Sequence, residues 1–329
     1  MNTKLFASLH ARGLLSDASF QKIKDQEPVN LFSVYWEIKT LLYLAVLLLS
    51  GGLGILIYKN IDSIGHTAIL AFLVLLCAGC FYYCLRHAPP FSVKKTQSPN
   101  SFFDYSLLLA CLSFISIIGY LQYQYGFFGN RYGLASFIPM VLLFASAYYF
   151  DNIGILSLGI TNLAAWLGIT VTPLEILKAN DFNSSTIIIT SLLLGILLLL
   201  LAFLTANKKV KTHFEFTYSN FGMHIVFISC LAALFHFDAV YLLWFLALTG
   251  IAFYFYRRAL AEHSFYKLLT ATLYTYIGLS YVIIQLLSLM NFDGLGPIYL
   301  GLLYFIASGI MLVLFLINTN KKLKANDSI

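Results

Sequence analysis

Apolar runs of about 20 residues, each long enough to cross a hydrocarbon core roughly 30 Å thick, recur along nearly the whole chain. Short polar connections separate them. The pattern predicts ten transmembrane helices, over 40–58, 67–85, 103–123, 132–150, 153–171, 185–206, 220–237, 239–256, 267–290 and 296–317. The expected fold is all-α, a polytopic membrane helix bundle packed through small residues that include Gly51, Gly54, Gly159, Gly195 and Gly250. Two joints are very short, at Asp151 with Asn152 and at Asp238. Each leaves open a longer broken helix or a re-entrant pair in place of two spans.

The one sizeable hydrophilic stretch is residues 1–39. Leu5, Phe6 and Leu9 form a short helical face, Gly13 suits a helix stop, and Ser16 can cap a second helix that ends before Pro28. This predicts a cytoplasmic amphipathic helical hairpin with too few apolar residues for a core of its own, lying on the membrane, on the bundle or on a partner protein. Tyr35 and Trp36 stand where an interfacial anchor is expected. Residues 40–317 form the ten-span bundle and 318–329 a basic cytoplasmic tail. The remaining connections are too short for a soluble catalytic domain.

Composition supports the membrane as solvent: of 329 residues 60% are hydrophobic, 16% aromatic and 10% charged, against roughly 25% charged in an average soluble domain. Charge then fixes the expected topology. Seventeen of the 20 Lys and Arg residues fall on one side of the ten-span count, and only Lys59, Arg131 and Lys178 on the other. The positive-inside rule places both termini in the cytoplasm. The net charge of +6 is therefore a topology signal spread over short loops and gives no basic face for nucleic acid. The N-terminus lacks the apolar core and cleavage site of a signal peptide, so the first span is expected to serve as an uncleaved insertion signal.

Five cysteines all lie in apolar segments, which argues against a disulfide framework. Cys77, Cys80 and Cys84 share one helix face, but no second Cys or His pair completes a metal or redox site, and small buried thiols are the preferred reading. Four Phe-Asp pairs, at 103–104, 150–151, 237–238 and 292–293, stand at span starts. Their Asp residues read as helix caps and their Phe residues as interfacial side chains.

No Asp, Glu, Lys or Arg lies near the middle of a predicted span, which argues against a charge-relay transporter or an intramembrane aspartyl or metal-dependent protease. The polar candidates are neutral: Asn162 beside Thr161 near the centre of the fifth span with Trp166 one turn on, and Tyr281 with Gln285 on one face of the ninth. Interhelical hydrogen bonds of about 1 kcal/mol each account for such residues without a ligand. His224 and His236 are twelve residues apart, about 18 Å along a helix, and cannot share a metal. His224 is expected towards the cytoplasmic end. His236 with Asp238, joined by Asp293, Glu175 or Asp181, is the candidate for an acidic outer pocket. No HExxH, GxSxG, Walker or GxGxxG motif is present, and no cofactor, metal or catalytic residue is assigned.

The stretches LHARGLLSDASFQKIKDQ at 9–26 and IKTLLYLAVLLLSGGLGILIYKNIDSIGH at 38–66 resemble the bacterial predicted-membrane-protein family called domain of unknown function 2157. The resemblance covers about the first 120 residues. It implies a multi-pass protein of the bacterial cytoplasmic membrane and brings no reaction or catalytic residue with it. The function expected is non-enzymatic binding or passage of a neutral or lipid-like solute, with the hairpin as a cytoplasmic contact. The alternatives are a scaffold or regulator of a neighbouring membrane complex, and an enzyme on lipid-linked substrates at the outer face, which requires His236, Asp238 and Asp293 to converge.

Overall fold

The computed structural model describes residues 6, 9–25, 35–59, 65–171, 184–289 and 296–326. Among these there is no strand, and ten helices are long and apolar enough to cross a membrane. A short helix α1 (Asp17–Asp25) precedes α2 (Tyr35–Lys59), α3 (His66–His87), α4 (Ser101–Tyr125), α5 (Tyr132–Phe150) and α6 (Ile153–Val171). Then follow α7 (Ser185–Lys208), α8 (Phe214–His236), α9 (Tyr241–Ala261), α10 (Phe265–Leu289) and α11 (Gly296–Asn326). The two very short joints are true breaks. Asp151 adopts the left-handed conformation (φ 58°) between α5 and α6, and a single 3-10 turn, Asp238–Val240, separates α8 from α9.

The fourth and fifth predicted spans coincide with α5 and α6. The seventh, read from residue 220, begins at Phe214 instead. Its first turn carries Glu215, which interrupts the apolar run but is held by Arg258 of α9, 2.5 Å away. Tertiary pairing thus extends the helix beyond its hydropathic limit.

The chain divides into two compact units between residues 58 and 59. In the first, Gly13 (φ 72°) stops a helical turn and hands its N–H to His10 O at 2.9 Å. Ser16 Oγ accepts the Ser19 N–H at 3.3 Å and so starts α1. His10 and Phe20 stack with ring centroids 4.3 Å apart. Pro28 lies outside the described residues.

The second unit is built of antiparallel neighbours: each of α3–α11 packs on the next, and α4 with α6, α6 with α8 and α8 with α10 close the interior. Helix α8 is its centre, with thirteen buried residues from Phe214 to Leu234. Its tightest partner is α7. A Cβ on Gly195 would stand 2.6 Å from Val226 Cγ2 and 2.9 Å from Val226 N, and one on Gly222 would stand 3.0 Å from Gly195 O. Small residues here let two backbones approach, as membrane packing requires. The expectation holds less well elsewhere: Gly159 makes ordinary contact with Leu143 and Phe144, while Gly51, Gly54 and Gly250 meet nothing within 4 Å. Large apolar side chains such as Leu75, Leu302 and Met311 are more than half exposed, which is stable only where lipid is the solvent.

All five cysteines are free. Cys77 and Cys84 are buried against α4, their thiols pointing to Ala110 O at 3.4 Å and Phe103 O at 3.9 Å, so the three-cysteine face is a packing face. No group of three His, Cys, Asp or Glu side chains able to hold a metal occurs among the described residues.

Candidate functional site

Polar side chains gather at the two ends of the second unit and at one place between. One end is formed by the connections 88–100, 151–152 and 209–213. Asp151 Oδ1 lies 3.0 Å from Lys211 Nζ and 2.7 Å from His213 Nε2, and its Oδ2 accepts the Thr96 N–H at 2.5 Å. Both side chains of the Asp151–Lys211 pair are almost wholly buried, 2% and 1% exposed. Lys211 N donates to Val93 O at 2.8 Å, and its ammonium lies 5.4 Å from the Phe91 ring centroid. Beside it, Asp104 Oδ1 accepts from Ser98 Oγ at 2.7 Å and from Asn152 Nδ2 at 3.0 Å. The 88–100 connection is thereby tied to the start of α4 and to the turn between α5 and α6.

These contacts correct the capping expectation. Asn100 and Asn152 cap α4 and α6 through Phe103 N and Ile155 N. Asp104 and Asp151 spend their oxygens on tertiary partners, and Asp238 makes no cap hydrogen bond. Asp293 lies outside the described residues, as do Glu175 and Asp181. Neighbouring amides can be capped by Asn as well as by Asp, and only Asp neutralises a buried Lys.

The same end carries a second ion network. Arg258 meets Glu215 and Glu262, each at 2.5 Å, and Lys267, itself buried, pairs with Glu262. Burial alone would raise the Glu262 carboxyl, but hydrogen bonds from Lys267 and Arg258, with their charges, outweigh it and hold the group below the ordinary carboxylate range. A depressed folded-state pKa contributes stability above the unfolded pKa, and that contribution is lost as pH falls through the folded value. Acidification below the ordinary Glu pKa of about 4.3 should therefore lower the unfolding temperature of the wild type more than that of Glu262→Gln. Equal slopes for the two proteins in a pH series of thermal melts would sink this assignment.

The connections 88–100, 209–213 and 257–267, which charge counting assigned to one side, thus lie at one end of the second unit. The opposite end holds His66 with Tyr120 (2.5 Å) and Ser185 with His236 (2.8 Å between Oγ and Nε2). It also holds Asp238 Oδ1, which accepts from Tyr281 OH at 3.1 Å, and Gln285, which donates to the same hydroxyl at 2.7 Å. The structure unites three sequence candidates, Asp238, Tyr281 and Gln285. His236 is not among them, because it turns to Ser185. Gln285 is four residues from the end of α10, well away from midplane.

His224 is the eleventh of the 23 residues of α8, so it sits mid-span and not towards one end. The difference follows from the earlier start of the helix. Its ring nitrogens meet Tyr274 OH at 2.9 Å and Tyr266 OH at 2.7 Å, both on α10. Asn162 is central in α6 as expected, with Oδ1 buried and without a hydrogen-bond partner among the described residues. Trp166 packs on Phe137 with centroids 5.3 Å apart. The sequence reading missed the Asp151–Lys211–His213 cluster. Its one usable signal was that all three residues fall in connections on the same side of the charge count.

Several cavities open on the second unit. Two of them have volumes of about 660 and 680 Å³, the first between α9, α10 and α11 and the second among α3, α4 and α5. Neither Asn162 nor Gln285 lines these two. The α9–α11 groove has walls from Thr249 to Tyr256, Ala271 to Leu279 and Tyr304 to Phe315. Six of its seven hydroxyls are engaged: Thr249, Thr272 and Thr275 donate to carbonyls of their own helices, Tyr276 meets Ser308 at 3.1 Å, and Tyr304 meets Ser280 at 3.2 Å.

Ten apolar spans with lipid-exposed apolar flanks define a polytopic α-helical membrane protein. Residues 7–156 match the family model described as predicted membrane protein (DUF2157). The resemblance read from 9–26 and 38–66 therefore holds, and it reaches further, to the first turn of α6. No curated protein and no solved structure matches the chain.

Proposed function

We propose that this membrane protein binds a lipid-like, largely apolar solute in the groove between α9, α10 and α11. The carrying observation is a groove of about 660 Å³, within the size range of small-molecule sites, whose hydroxyls are mostly satisfied internally and whose walls are otherwise apolar. A strongly polar solute would meet few polar partners on these walls, so burying it would cost more than it returned. The groove does not reach Asn162 or Gln285, so it supports binding at this site and lends nothing to a polar path past those two residues. For an enzyme at the outer face, the separate partners of His236 and Asp238 are unfavourable.

Family resemblance supports the bacterial cytoplasmic membrane as the location. The basic excess at the end holding Lys211 and Arg258 supports that end, and both termini, as cytoplasmic. The hairpin of residues 1–39 is then a cytoplasmic contact for a partner or for the membrane surface.

A photoactivatable fatty acid tests the groove in the full-length protein. Cross-links should concentrate on the facing residues of α9–α11 and be lost in Ala307→Trp, which fills the groove from an exposed position. Labelling spread evenly over all spans would reduce the groove to ordinary lipid-facing surface and leave the scaffold reading in its place.

A further inference from the structure

We infer that the α9–α11 groove selects an anionic phospholipid, holding one acyl chain along its length and the phosphate at Arg257. The inference rests on the groove reading above and adds the ligand class.

Position comes first. The groove runs from Thr249 to Tyr256 on α9 and from Tyr304 to Phe315 on α11, eleven steps or about 16 Å on the latter. That is about half of a 30 Å hydrocarbon core, the depth of one leaflet. Tyr256 and Phe315 stack at 6.3 Å where the groove ends, and Arg257 is the next residue on α9. Its guanidinium lies 5.9 Å from the ring centroid of Phe253, itself a groove wall. A chain seated in the groove would therefore bring its headgroup to Arg257.

Charge comes second. The two carboxylates of the ion network next to Arg257, Glu215 and Glu262, are held by Arg258, and Glu262 by Lys267 as well. Arg257 is exposed and has no carboxylate partner among the described residues. Lys321 is exposed on α11, about 9 Å beyond Phe315. The groove thus ends on surplus positive charge, and a planar guanidinium suits a phosphate diester. If the charge count sets the orientation, this is the cytoplasmic leaflet, where anionic lipids attract basic residues at the surface.

Native mass spectrometry of the full-length protein, taken from nanodiscs of equimolar phosphatidylglycerol and phosphatidylcholine, tests this. The expected result is retention of phosphatidylglycerol about fivefold above phosphatidylcholine, the scale of one basic residue at an anionic surface. Arg257→Gln should remove the preference without lowering phosphatidylcholine retention, and Ala307→Trp should remove both lipids. Equal retention of the two lipids by the wild type, both lost in Ala307→Trp, would overturn the anionic selectivity and keep the groove. A preference that survives Arg257→Gln would likewise overturn the selectivity at Arg257. Retention unaltered by Ala307→Trp would remove the groove reading and the inference with it.

Discussion

Asp151→Asn is expected to lose most of the folded protein at temperatures the wild type survives. Asn tolerates the left-handed backbone that Asp151 adopts, so the substitution changes the charge and little else in the turn. It leaves the Lys211 ammonium, 1% exposed, without its counter-charge, and breaking one partner of a buried pair costs about 3–5 kcal/mol. The single amide oxygen of Asn can face either His213 or the Thr96 N–H, so one of these two links is lost as well. The double variant Asp151→Asn with Lys211→Met should recover most of the loss, since Met fills much of the same space without a charge to bury. Thermal loss of the monodisperse peak from detergent-solubilised protein measures both. A single variant as stable as the wild type would show that water reaches Lys211 and that the pair is not buried in the working protein.

A single methyl on Gly195 should come next in severity. The added carbon would meet Val226 N at 2.9 Å, and a backbone nitrogen inside a helix cannot turn aside as a side chain can. Helices α7 and α8 must separate, at a cost of about 1–3 kcal/mol for overpacking, and α8 is the helix on which α6, α7, α9 and α10 all rest. Gly222→Ala should be milder, because its nearest atoms are the flexible end of Leu199 at 2.9 Å, although Gly195 O follows at 3.0 Å. Gly250→Ala, with nothing within 4 Å, should be neutral. A melting series in which these three variants do not rank in that order would refute the backbone-contact account of the α7–α8 crossing.

The graded effect expected along these glycines shows where sequence reading stops. Gly195 and Gly250 are indistinguishable in the chain: both are small residues inside apolar spans. What separates them is whether a neighbouring backbone lies opposite, and that is a property of how helices cross. Asp104, Asp151 and Asp238 are alike in the same way. Each follows a Phe at a span boundary and reads as a cap, yet each was drawn to a partner about 40 residues or more away, Asn152, Lys211 with His213, and Tyr281. A cap is a local interaction that competes poorly with a buried charge when an adjacent Asn can take over the amides.

What the sequence by itself determined is the set of spans, because transfer of an apolar run into lipid depends on composition and length and hardly on neighbours. The ten spans follow from that one-dimensional property, and the charge count adds the side of the basic connections; the breaks at Asp151 and Asp238, which hydropathy left open, were decided by the structure. Tertiary structure alone decided which polar groups meet. The start of α8 at Phe214, and with it the mid-span position of His224, depended on Arg258 arriving from another helix to hold Glu215. The groove between α9, α10 and α11 depended on where three helix faces fail to close. Polar contacts and cavities are set by directional, short-range geometry between segments far apart in sequence, and hydropathy carries no information about that geometry.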